Sequence, residues 1–196
     1  MRSLIIGLML AGAAVGSAQA QTSRDVRISG TVEKFDGRLI SISPSKGITL
    51  VVRFDAGPGI NSMRKAKPAD IKTGQQVRAL TKTNPAGGVT AGQIIIYENG
   101  AEQSSPNAVA EGTPPLAQVT DVGASPEGPV LSLTTKDGVR KVTVVKDAVI
   151  WTARPASAED IKPGALITIA GTKDGEAEIN VLKASVGIGQ SDNPPL

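Results

Sequence analysis

The chain has 196 residues, a formal net charge of +3, and neither cysteine nor histidine. Those absences remove disulfide staples and most of the side chains that act as nucleophile, general base or transition-metal ligand near neutral pH. With two Phe, one Tyr and one Trp, burial falls to aliphatic side chains. The β-branched ones among them favour strands, so the composition predicts an all-β protein.

Residues 1–20, MRSLIIGLMLAGAAVGSAQA, begin with Arg2, continue as an apolar run to Val15 and end in Ala18-Gln19-Ala20. This is the pattern of a secretory signal peptide with a small-x-small cleavage site. The mature chain is expected to start at Gln21 and to reside in the periplasm. No later apolar run is long enough to span a bilayer as a helix.

Strict alternation marks the first strand, with Val26, Ile28, Gly30 and Val32 on one face and Arg27, Ser29, Thr31 and Glu33 on the other. Asp36-Gly37 turns the chain into a strand at 39–43, and Lys46-Gly47 turns it again into Ile48–Phe54. DAGPGI at 55–60 lacks the ending and the full helix of a phosphate cradle, and reads as a shaped loop. A basic loop with Arg64, Lys65 and Lys67 leads to PADIKTG at 68–74, where Pro68 suits the start of a helical turn and Gly74 its end. Strands at 77–83 and 94–97 complete a first unit, 21–98. Residues 99–115 are polar, contain Gly and Pro, and read as a linker.

The order then repeats over 116–187. Leu116–Gly123 matches Val26–Glu33 with Val122 lying 90 positions after Val32, GPVLSLT at 128–134 matches GRLISIS at 37–43, and EDIKPG at 159–164 matches ADIKTG at 69–74. Arg140–Val145 is the third strand of this unit, followed by Trp151 and Arg154. Residues 188–196 form a tail. An internal duplication is implied. Each unit reads as three strands, a short helical plug, and two strands, which predicts two tandem five-stranded OB-like Greek-key barrels. Ile71 and Ile161 are expected to fill the barrel floors.

The opening SGTVEKFDGRLISI, the two DIKxG phrases, the stretch DGVRKVTVVKDAVI and the NPPL end resemble exported bacterial proteins grouped as domain of unknown function 5666. The resemblance implies OB-like barrels in the cell envelope and carries no activity. The linker here is poorer in aromatics than in similar proteins.

Charge divides the mature chain. Residues 21–100 hold 12 Lys and Arg against 6 Asp and Glu, and residues 101–196 hold 8 against 12. The basic excess is densest at Arg64, Lys65 and Lys67, a candidate contact for an anionic envelope component or an envelope protein. Trp151, beside Arg154, is either a ligand platform or a cover between barrel and plug. Nucleic acid is disfavoured, because base stacking needs aromatics that this chain lacks. The Asp-Gly pairs at 36, 137 and 174 fall between strands and lack the acidic spacing of calcium loops. A weak divalent-cation site using Asp121, Glu127 or Glu159 with Asp160 is the one metal arrangement left open. No nucleophile and base are paired, and adjacent carboxylates such as Glu159-Asp160 cannot flank a substrate. The reading is a non-enzymatic binding module without cofactor. The alternative is a carrier or sensor of a small ligand or metal ion, and the oligomeric state is open.

Overall fold

Period-two alternation of aliphatic and polar residues runs through most of the chain and produces strands almost throughout. A computed structural model describes residues 24–54, 59–85, 87–101, 114–174, 178–187 and 193–195. The signal segment, most of the linker, most of DAGPGI, Gly175 of the last Asp-Gly pair and part of the tail lie outside the described residues. Among those described are eleven strands: β1 (Arg24–Phe35), β2 (Leu39–Ser45), β3 (Ile48–Arg53), β4 (Gly59–Ala66), β5 (Gln76–Thr83), β6 (Val89–Tyr97), β7 (Leu116–Ser125), β8 (Gly128–Thr135), β9 (Gly138–Pro155), β10 (Leu166–Asp174) and β11 (Glu178–Gly187).

The strands close into five-strand barrels, and the closure departs from the tandem arrangement. β1, β2 and β3 pair in sequence, but β3 then pairs in parallel with β11, β11 with β10, and β10 back with β1. The second ring is built the same way from β7, β8 and β9, closed by β6 and β5. Each ring therefore takes three strands from one half of the sequence and two from the other. The physical reason lies in β4, which does not fold back onto its own half. It runs in parallel beside β11 and antiparallel beside β9, so that Met63 faces Ala153 and the chain crosses from one ring to the other.

The expected helical plugs are only three-residue 3₁₀ turns, Pro68–Asp70 and Ala158–Asp160. Their carboxylates hold the turn directly: Lys67 N–H donates to Asp70 Oδ2 and Ser157 N–H to Asp160 Oδ2, each at 2.8 Å. Ile71 and Ile161, the residues after each turn, are buried as expected, but in the ring opened by the other half. Ile161 packs with Ile28, Val32, Ile42 and Phe54, and Ile71 with Val119, Leu131, Val142 and Val144. Backbone bonds repeat the exchange. Gly164 N–H donates to Val32 O (2.8 Å) and Val32 N–H to Ala165 O (2.9 Å); Gly74 N–H donates to Val119 O (2.7 Å) and Val119 N–H to Gln75 O (2.9 Å).

Those bonds also correct the repeat register of the first strand. Val32 is 1% exposed and Val122 is 37% exposed. The residue that does what Val32 does is Val119, fully buried and bonded to the opposite turn. Both strands then bulge, β1 after Val32 and β7 after Val119. The bulge shifts the inward pattern, so matching by sequence alone picks the wrong valine.

One glycine is fixed by space as well as by conformation. Gly128 opens β8 with φ of 142°, and a Cβ there would stand 2.0 Å from the Val144 carbonyl oxygen. Gly128→Ala is expected to cost at least about 2 kcal/mol, since it combines backbone strain with overpacking. Urea denaturation measures this, and an unchanged midpoint would refute it.

Candidate functional site

The paired strands β4 and β9 form a ribbon between the rings, and its pleat sorts the basic candidates onto two faces. Directly opposed residues share a face and alternate along each strand. Ser62 opposes Arg154 and Arg64 opposes Thr152, so these four stand together and line a hollow of about 120 Å³. Arg154 Nε binds Glu98 Oε2 at 2.6 Å. Arg64 is exposed and forms no ion pair among the described residues. The opposite face carries Lys65 opposite Trp151 and Met63 opposite Ala153.

Trp151 is not an exposed platform. It is 2% exposed, lies inside β9 rather than after a strand, and packs with Met63, Ile95, Tyr97, Ala101 and Ala153. Lys65 Nζ lies 5.8 Å from the centre of its ring, within cation–π range. Arg64 and Lys65 belong to β4, not to a loop, and Lys67 follows it as the exposed residue preceding the first 3₁₀ turn. The structure therefore brings Arg64 together with Arg154, and Lys65 with Trp151.

Between the outer walls of the two rings runs a groove of about 850 Å³. Arg27 and Ser29 of β1 line one wall, Leu80 and Lys82 of β5 the other, and Trp151 borders it. Asn193, Pro194 and Pro195 of the tail line it too, with Pro194 buried. Across β10 from Arg27 stands Lys183, since both pair with Ala170 from its two sides, although Lys183 does not line the groove. Burial, then Arg78, then Arg27 lower the Lys183 ammonium to about 8 from its ordinary 10.5. Sequence reasoning missed Lys183 and Arg27. The available signal was a lysine within the apolar run VLKASVGI, where an unpaired charge is costly.

Lys183 gives a signed pH dependence. Its folded pKa lies below its unfolded one, so between about 8 and 10.5 the unfolded chain holds more protons and this group's contribution to stability rises with pH. Below about 8 the full penalty of its charge stands. The charges acting on it are Arg27 of β1 and Arg78 of β5. Lys183→Met is expected to melt above the native chain at pH 7, with the gap narrowing by pH 10. A gap of constant size across that range would overturn the assignment.

Among the described residues no three acidic side chains gather as a metal site, and no helix is long and apolar enough to cross a membrane. Asp36 Oδ1 accepts the Leu39 and Arg38 N–H groups, which hold its carboxyl below the usual range and commit it to its own turn. In comparisons with known proteins, no family model matches the chain, and no curated protein or solved structure matches it either.

Proposed function

We propose that this chain is an exported, non-enzymatic binding protein of the cell envelope, made of OB-like barrels from a duplicated unit. The duplication reading is supported by the two DIKxG turns, which make equivalent bonds in opposite rings. The OB-like reading is supported by the ring order, three consecutive strands closed by the last two strands of the other half, β11 with β10 and β6 with β5. Export rests on the leader pattern of residues 1–20.

The observation that carries binding is the exposed basic run of Arg64, Lys65 and Lys67 along and just beyond β4, on the crossing between the rings. A charged strand in that position attracts an acidic surface from either side. The partner is an envelope protein or an anionic envelope component. Crosslinking capture from envelope fractions tests this, using the mature chain beside a variant with all three changed to Ala. A partner captured by the native chain and lost by the variant is the expected result; equal capture by both sinks the reading.

The groove favours a second reading, a carrier or sensor of a small ligand, because its volume lies in the range of small-molecule sites. Trp151 is the only tryptophan and borders that groove. A saturable change in its emission across a ligand panel would support this reading, and silence across the panel would count against it.

A further inference from the structure

The two rings are closed by different side chains, and ladder register shows which residues correspond. GRLISIS and GPVLSLT align Ile40 with Leu131. Ile40 pairs with Phe35 and Val52, while Leu131 pairs with Val122 and Val142. Val122 is therefore the counterpart of Phe35, and as the residue opposed to an inward leucine it shares the inward face. Two positions beyond Val52 and Val142, Phe54 is matched by Val144. The first ring thus carries two phenylalanines where the second carries two valines.

In the first ring Phe35 and Phe54 meet edge to face, with centroids 5.5 Å apart and planes at 75°, a favoured aromatic geometry. Phe54 is buried, and half-buried Phe35 packs against the same core as Ile161 and Ala158. In the second ring Val144 is buried but Val122 is 37% exposed. Pro68, the counterpart of half-buried Ala158, is exposed as well. Val122 lines a hollow of about 580 Å³ with Pro68, Ala69 and Ile71 on one side and Pro129 on the other. The remaining lining residues are no larger than serine, so another molecule can approach the backbone closely.

This chain has no ring of its own to place there. Of its four aromatic residues, Phe35 and Phe54 belong to the first ring's core, and Tyr97 and Trp151 to the separate cluster with Met63. We propose that the hollow anchors the ring of a phenylalanine or tyrosine side chain on the envelope partner. The proposal rests on the binding-protein reading and says how that partner is gripped. Lys67, last cation of the basic run, directly precedes Pro68, so the charged contact and the hollow adjoin. Aromatic anchors seated in a pocket with a polar rim carry much of the affinity of protein interfaces.

The test titrates p-cresol and toluene, the tyrosine and phenylalanine side chains without backbone, into the isotope-labelled mature chain. Cyclohexanol is the saturated control. At least one aromatic probe is expected to shift the amides of Ile71, Val122, Ala124 and Ser125 saturably, with cyclohexanol at least tenfold weaker. Val122→Phe, which restores the first ring's residue, should abolish those shifts and raise the melting temperature. Val122→Asp, at the same exposed position, should weaken the aromatic probe at least tenfold with the circular dichroism unchanged, and it decides if the first variant fails to fold. In the crosslinking capture, Val122→Phe should lose the partner that the native chain recovers, although the basic run is intact. No saturable shift at these amides, or native affinity in the variants, overturns the hollow as an aromatic site while the basic-run reading keeps its own test. Equal affinity for cyclohexanol overturns the preference for a ring. Probe binding with no partner captured, or with capture unchanged by Val122→Phe, overturns the side-chain anchor and makes a free small aromatic molecule the occupant.

Discussion

Neither half of this chain is expected to fold by itself as a monomer. Residues 21–101 alone contain β1, β2 and β3 but lack β10 and β11, which close their ring. The severed ring would expose Ile28, Val32, Ile42, Val52 and Phe54 and leave the edges of β1 and β3 unpaired. Burial of such surface is the main term favouring the folded state, and open edges promote association. Fragments 21–101 and 114–196, made separately, should be unfolded or associated, and should form a one-to-one folded complex when refolded together. Cleaving the intact protein within 102–113 should likewise leave both pieces bound. Size-exclusion chromatography with amide dispersion in NMR reads this out. A well-dispersed monomeric spectrum from either half would refute this expectation, since β5 and β6 would then have closed β1–β3 unaided.

The second large effect is directional. Ile161→Ala is expected to cost roughly 2–5 kcal/mol, the range for truncating a buried isoleucine. That is a large share of the roughly 5–15 kcal/mol by which a domain is stable. The loss should appear far away in sequence. Ile161 packs on Ile28, Val32, Ile42 and Phe54, and its turn bonds Val32. Amide exchange should therefore accelerate in β1–β3, β10 and β11, with β7 and β8 holding their protection longer. Ile71→Ala should do the reverse and loosen β7–β9 with β5 and β6, because Ile71 sits among Val119, Leu131 and Val142. A tandem pair of barrels predicts the opposite pattern for both variants, so one exchange experiment on either decides between them.

The candidate site was legible in part. The density of Arg64, Lys65 and Lys67 is visible in any reading of the chain. Which of them share a face is not, because that needs β4 to be a strand and β9 to be its partner. Arg154 likewise finds Glu98, 56 positions earlier, only because the end of β6 lies beside β9. Arg27 and Lys183 are 156 positions apart and look like ordinary outward strand residues. The fold sets them on either side of Ala170, which pairs with both.

Taken by itself, the sequence determined most of the strands, the hairpin turns and the two inward isoleucines, but not β4, which it reads as a loop, nor the run of β9 beyond Val145. All three are local: alternation is written every second residue, Gly37 and Gly138 take positive φ where hairpins need it, and each Ile follows its own turn. Only the tertiary structure decided which strands close which ring. Any strand edge offers the same row of N–H and C=O groups to any partner. Two similar halves also give each strand two partners with matching inward faces, β10 or β5 beside β1. Local pattern cannot choose between them. The choice is made where β4 runs on beside β9, pairing Met63 with Ala153. That crossing carries the first half's last two strands to the other ring.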